Sequence, residues 1–563
     1  MNSHLYVEQK STAPMPEELT VSHSLTPKSV RYQGPTLPPS FGAALSPNTP
    51  QADESSESSF DGAQLEFFQN RMSSLRILVF KMTTAVDESS PPGQVTINIM
   101  TLPDDVLLEI FKRYVDVWDA LRTKWHTLVH VCRRWRHVVF GSPRHLDLQL
   151  VYTGRRPMTE MPDVWPASGL PIVIRLPWGW HSVRGVSFDD NMITALDSER
   201  HYRVCRIDLP NISASLWERL TAVMQRPFPE LTVMHLSSEN HRWSIDPHSF
   251  LVGPAPRLRR LFLDNIPFPA VQRLLLSANN LVYLSLRKIP GVGYISPEDM
   301  ANCLAGLTRL EVLILQFRSP RSHRLSEIPR QLPPLLTPFV LPALTRLEFQ
   351  GRSYYLERLV ARIDAPVLLY LGMIFFQDDN FDVPQLHRFI SRAEKLSTHA
   401  RATVSHSNCE IRLTLSSPPW TVDRTSLAAF GILYSGIYLP LSSLAQVCKS
   451  SFPLLSTLEE LDIIKGCRFP IRWDNRVERM QWLELLGLFT SLKNLRLDEE
   501  LALPVMHALN ELVEERERAV LPELQSIFIE GLQSSENVQD VVDQFVTTRR
   551  LSNQRVAVHD WEP

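Results

Sequence analysis

The sequence predicts an α/β protein: a short helical segment over residues 97–145, then a long stack of strand–loop–helix units over residues 146–563, behind a disordered tail over residues 1–95. Three observations predict it. A triad of the form apolar-x-x-apolar-x-apolar recurs in ten places between Val204 and Ile529. Helical periodicity with clear start signals fills the intervals between these triads. The first 95 residues are instead rich in Ser, Pro, Thr and Glu, and lack sustained hydrophobic periodicity.

Within the tail, Leu65–Phe68 and Leu75–Phe80 form an apolar exception, readable as a short helix, a short strand or a docking peptide that orders on a partner. Met1 to Lys10 are polar and no apolar run follows them, so no secretory signal is expected. The six cysteines are scattered singly, which suits reduced thiols of the cytosol or nucleus better than a disulfide framework or a zinc site. With 58 basic against 61 acidic residues there is no global field to draw nucleic acid or an anionic membrane. The uncharged run between Arg424 and Lys449 is long enough for a membrane span. Pro440, Ser442 and Ser443 interrupt it, and Leu441, Leu444, Ala445 and Cys448 recur at helical spacing, so a buried strand followed by an amphipathic helix is the better reading.

The helical segment begins at Thr101-Leu-Pro-Asp-Asp. Thr101 is the expected N-cap, Pro103 sits where a missing N–H costs nothing, and Asp104 and Asp105 oppose the helix dipole. Leu107, Ile110, Phe111 and Tyr114 fall on one stripe, while Glu109, Lys112 and Arg113 face away. A second helix is expected over Trp125–Phe140, with Leu128, Val131, Cys132, Trp135 and Val139 sharing a face. So small a unit buries little apolar area by itself, and aliphatic and aromatic anchors on it suit a partner's groove. Read alone, either stripe is also compatible with packing on the downstream domain.

Leu102-Pro103, the Leu107-Leu108 pair with Ile110-Phe111, and Val131-Cys132-Arg133-Arg134-Trp135-Arg136 together resemble the F-box motif in content, order and approximate spacing. The resemblance covers about forty residues, and the stretch Val115 to Lys124 between its halves is longer and more polar than the family's usual connection. It implies docking on the adaptor Skp and, through it, on a cullin scaffold and a RING subunit. At matching positions it implies that Leu102, Pro103, Leu107, Ile110, Phe111, Leu128, Val131, Cys132 and Trp135 lie at or just beneath that interface. The layout from residue 97 to the C-terminus, through Thr101-Leu-Pro-Asp-Asp-Val-Leu, Trp125-His-Thr-Leu-Val-His-Val-Cys and Leu441-Ser-Ser-Leu-Ala-Gln-Val-Cys, further resembles the F-box proteins of mushroom-forming fungi, a resemblance that implies the same architecture and no particular substrate.

The ten triads, among them Val204/Ile207/Leu209, Leu261 with Leu258 and Leu263, Leu344/Leu347/Phe349 and Leu524/Ile527/Ile529, are mostly spaced like leucine-rich repeats. Each implies one short strand, and Ser296-Pro297 and Pro384 mark helix starts between strands. Stacking such units gives an irregular leucine-rich-repeat-like solenoid, parallel strands on the concave side and helices on the convex side. The asparagine that often follows the strand in that family is largely missing. The interval from Met373 to Leu458 departs most, with Ile411 and Leu413 supplying at least one strand. The helix Val538–Arg550 is expected to close the array.

No phosphate-binding Gly-rich loop, nucleophile elbow or H-E-x-x-H pair occurs, so no enzyme activity, cofactor or metal is expected. His126 and His130 lack further ligands nearby, and Cys132 on an apolar stripe reads as an inert thiol. Two functions remain: a substrate-recognition adaptor of a Skp–cullin–F-box ubiquitin ligase binding an unknown target protein, or a repeat scaffold whose F-box-like helices only cap the solenoid. His235, Phe262, Ser285, Glu348 and Arg496, which flank the strand leucines, are candidate contact positions, and Trp178 and Trp180 are candidate loop or core residues.

Overall fold

The computed structural model describes residues 99–118, 125–155, 157, 170–176, 186–238, 255–266, 271–318, 338–376, 383–397, 401–406, 410–416, 428–433, 441–465, 477–514 and 521–561. The expected tail, Trp178, Trp180 and the connection 119–124 lie outside the described residues.

Three short helices come first: α1 (Asp104–Trp118), α2 (Trp125–Val129) and α3 (Arg133–Gly141). Strands interspersed with helices follow. The strands are β1 (Leu150–Tyr152), β2 (Ile172–Arg175), β3 (Val204–Leu209), β4 (Val233–Ser237), β5 (Arg260–Asp264), β6 (Tyr283–Ile289), β7 (Val312–Phe317), β8 (Phe339–Val340), β9 (Arg346–Gly351), β10 (Ile363–Asp364), β11 (Tyr370–Phe376), β12 (Arg401–His406), β13 (Glu410–Ser416), β14 (Ala428–Leu433), β15 (Glu460–Lys465), β16 (Asn494–Leu497), β17 (Ser526–Glu530) and β18 (Ala557–Trp561). The helices among them are α4 (Val186–Asp197), α5 (Ala214–Val223), α6 (Val271–Ser277), α7 (Pro297–Ala305), α8 (Ser353–Val360), α9 (Pro384–Arg392), α10 (Leu441–Ser451), α11 (Val477–Leu486), α12 (Glu499–Glu514) and α13 (Glu536–Leu551). Among the described residues sixteen strands make one sheet, in the order β1-β2-β3-β4-β5-β6-β7-β9-β11-β14-β13-β12-β15-β16-β17-β18, while β8 and β10 pair separately.

The repeated triads set the register. Ile207, Met234, Leu261, Leu284 and Leu313 pair in one row of parallel strands, and Leu209, Leu236, Leu263, Leu286 and Leu315 in the next. All of these side chains are buried, and they share one continuous core with helix residues such as Trp217, Leu274, Leu304 and Leu356. The helices therefore cover one face of the sheet and leave the alternate residues on the other. Each buried leucine contributes about 1.5–3 kcal/mol by leaving water, which a single unit without neighbours would forgo. Phe317, Phe349, Phe375, Phe430 and Phe452 continue this core as a chain of rings, successive centroids 5.4–6.5 Å apart.

Helix starts follow the expected chemistry. The Ser296 hydroxyl accepts the Asp299 N–H at 3.0 Å ahead of α7, and Pro384 opens α9. The buried Glu357 carboxylate of α8 accepts the backbone N–H groups of Gln385 and Leu386, capping the α9 dipole from the neighbouring helix. Among the described residues a buried strand-end asparagine follows β5: Asn265 Nδ2 donates to the Ser238 carbonyl at 2.8 Å, and Ser238 Oγ donates onward to the Ile212 carbonyl at 2.8 Å.

Between β11 and β15 the parallel order breaks. Residues 407–409 are too few for a crossover, so β12 and β13 form an antiparallel hairpin, and β13 pairs antiparallel with β14. Three strands thus stand here: β13 carries the predicted Ile411 and Leu413, β14 is the buried strand expected in the uncharged run, and β12, with Ala402 and Val404 buried, has no counterpart in the sequence reading. The uncharged run does form a strand, β14, and a helix, α10. No helix among the described residues is long and apolar enough to cross a membrane. At the far end, α13 buries Val538, Val542 and Phe545 as expected, but strand β18 follows it and pairs with β17, so the helix is not the last element.

Candidate protein-docking site

Residues 99–145 build a small unit whose buried side chains, among them Leu107, Phe111, Leu128, Trp135 and Val139, stand outside the continuous core that begins at Tyr152. Helix α1 starts at Asp104, not after Thr101: Ile99–Thr101 form a 3-10 turn, and the Pro103 carbonyl accepts the first bond, from the Leu107 N–H at 3.0 Å. The predicted second helix is two. Cys132 breaks it in an extended conformation and caps α3, its sulfur accepting the Trp135 N–H at 3.4 Å. Arg136 Nε closes the end of α2 by donating to the Val129 carbonyl at 2.9 Å.

Several contacts hold the halves together, among them a Tyr114–Thr127 hydroxyl pair at 3.3 Å. The Phe111 and Trp135 rings meet with centroids 4.7 Å apart. Arg134 donates to Asp104 Oδ1 at 2.7 and 2.9 Å and to the Leu102 carbonyl, drawing the Val131–Cys132 turn to the start of α1. Trp125 Nε1 donates to the Gln149 carbonyl at 3.3 Å, joining the unit to the chain entering β1.

The nine predicted interface positions divide sharply. Leu107, Phe111, Leu128 and Trp135 are buried in the unit's own core, so they shape the surface without forming it. Leu102, Val131 and Cys132 are half-buried, Pro103 is exposed, and Ile110 is 40% exposed. The single stripe read from the sequence is therefore two: Leu107, Phe111 and Val115 face inward, and Ile110 faces out with Val106, which is 39% exposed. Val106 was missed by sequence reasoning, although it lies three residues after Pro103 and four before Ile110, on one helix face.

The open face of the sheet carries the other candidates. Asp208, His235, Phe262, Ser285 and Glu348 occupy one register row. Ser285 is only 2% exposed and is removed as a contact position. Arg496 is engaged by Glu460 at 3.2 Å and Asp462 at 3.3 Å. Asp208 receives His235 Nδ1 at 2.8 Å, Arg206 at 3.3 Å and Arg175 at 3.4 Å. Burial pushes its carboxyl upward, but the hydrogen bond and charge of His235 and the charges of Arg175 and Arg206 outweigh this and hold it below the ordinary carboxylate value. Burial drives the Cys205 and Cys303 thiols up to about 11 and the Cys448 thiol higher still, the reverse of what a thiolate nucleophile needs.

Comparison with known proteins adds one finding. No curated protein matches the chain. Residues 99–145 match the F-box-like family, so the helical unit with the exposed Val106–Ile110 face is an F-box-like domain, a protein-interaction module preceding a long, mostly parallel α/β sheet.

Proposed function

We propose that this chain is the substrate-recognition adaptor of a Skp–cullin–F-box type ubiquitin ligase, working in the cytoplasm or nucleus as a non-catalytic subunit without a cofactor. The F-box-like domain docks on Skp, and the α/β array, read as a leucine-rich-repeat-like solenoid, holds a target protein. Ubiquitin transfer then accelerates because target and charged enzyme share one assembly, which raises their effective concentration. The observation that carries this reading is the pair of outward residues Val106 and Ile110 on α1 of a segment matching the F-box-like family. Apolar groups left in water on a small helical unit are the usual anchors for a partner's groove.

A capping role alone, with no ubiquitin function, calls for these helices to share the core of the array. Their buried residues lie outside that core, which favours the docking module. The test is co-purification of the full chain with Skp against a Val106→Asp, Ile110→Asp variant. Stoichiometric capture by the wild type and none by the variant, with equal circular dichroism, is expected. No capture by folded wild type would overturn the proposal. Leu107 is unsuitable for this test because it is fully buried, and a charge there would unfold the domain.

A further inference from the structure

The open face of the sheet differs sharply between its two ends. At the β12–β16 end the arginines are neutralised on the spot: Arg401 donates to Asp462 at 2.6 Å, and Arg496 lies against Asp462 and Glu460. At the β2–β6 end the balance is basic. Asp208 is already matched by Arg175 and Arg206, and Asp264 by Lys288 at 3.3 Å. Arg260 on β5 and Arg287 on β6 are exposed and have no carboxylate partner among the described residues. Between them the Phe262 and Tyr283 rings pack with centroids 4.5 Å apart, both half-exposed, and His235 adjoins Phe262 at 5.6 Å.

We infer that the open face of β2–β6 is a docking surface for an extended acidic segment of a partner protein, whose carboxylates meet Arg260 and Arg287 and whose apolar side chain seats on the Phe262–Tyr283 pair. This deepens the reading of the array as target-binding and rests on it. Charge complementarity selects the occupant: two open guanidinium groups flank an aromatic platform in a chain whose overall charge is -3, so the basic character is local. A nucleic acid fits less well. It calls for a continuous basic track along its phosphates, whereas Asp208 and Asp264 interrupt this face.

The test is fluorescence anisotropy of the full chain with labelled dodecapeptides: Glu-rich with a central Phe, the same with Ala for Phe, and a Lys-for-Glu version, with labelled oligouridylate alongside. The Glu-rich Phe peptide should bind tightest, and Arg260→Glu with Arg287→Glu should weaken it by about tenfold or more. Phe262→Ser should erase the preference for Phe over Ala, and Arg388→Glu on helix α9 should change nothing. Equal binding of acidic and basic peptides, tighter binding of oligouridylate, or indifference to the double arginine reversal in a protein of unchanged circular dichroism would each overturn the inference. Skp capture is measured on the same preparations; if it persists while acidic-peptide binding fails, only this inference falls.

Discussion

Phe111 and Trp135 close the core of the F-box-like domain, their ring centroids 4.7 Å apart, while Ile110, the very next side chain along α1, stands 40% exposed. A helix turns about 100° per residue, which here sets Phe111 toward the core and Ile110 toward solvent. Phe111→Ala is expected to cost about 3–5 kcal/mol by opening a cavity, read as loss of protection from hydrogen exchange across residues 99–145. Ile110→Asp is expected to leave that protection intact while Skp capture is lost. Equal damage to protection from both changes would contradict the division into an inner and an outer stripe.

The Asp208 carboxyl, held below its ordinary value, links folding to pH. A carboxyl with a depressed folded-state pKa stabilises the fold above its unfolded value, and that contribution disappears as pH falls through the folded value. Stability measured by urea midpoint is therefore expected to drop as pH descends below the ordinary carboxylate value of 3.8. Asp208→Asn should be less stable at neutral pH, because Arg175 and Arg206 lose their counter-charge, and should show a shallower acid loss. An identical pH profile in the variant would remove Asp208 from this role.

Glu357 ties two helices through the N–H groups of Gln385 and Leu386. Glu357→Ala strips the start of α9 of a buried acceptor and is expected to cost about 1–3 kcal/mol, visible as a lower thermal midpoint. Glu357→Gln keeps an acceptor oxygen and should recover part of the loss. A neutral Glu357→Ala would show that water replaces the cap freely.

Thiol reactivity follows burial. Cys303 and Cys448 are enclosed and their thiols are raised, so iodoacetamide at mildly alkaline pH is expected to spare both in the native chain and modify both after denaturation. Peptide mass spectrometry reads this directly, and rapid native modification of Cys448 would show that the α10 region opens.

Much of the sheet was legible because its strands repeat one pattern. Leu261, Leu284 and Leu313 each begin a period-two alternation beside a proline or turn signal, and each lands in register with its neighbour. The segment from β12 to β14 was less legible. β12, Arg-Ala-Thr-Val-Ser-His, carries little apolar surface to mark it as a strand in sequence, and its antiparallel direction comes from a connection too short to cross the sheet.

The F-box-like domain divides in the same way. Spacing and proline placement, which are local properties of the chain, set Leu102-Pro103, Leu107 and Phe111 at one expected helix and Trp135 on another, and the resemblance to the F-box motif joined the two into one unit. Only the tertiary structure decided that Leu107 and Phe111 are sealed in while Val106 and Ile110 face out, and that Cys132 ends one helix and begins another. An apolar residue at helical spacing announces that it will be covered. What covers it, its own chain or a partner, depends on how the helices cross, and that is set by contacts such as Phe111 with Trp135 and Arg134 with Asp104, between residues far apart in sequence.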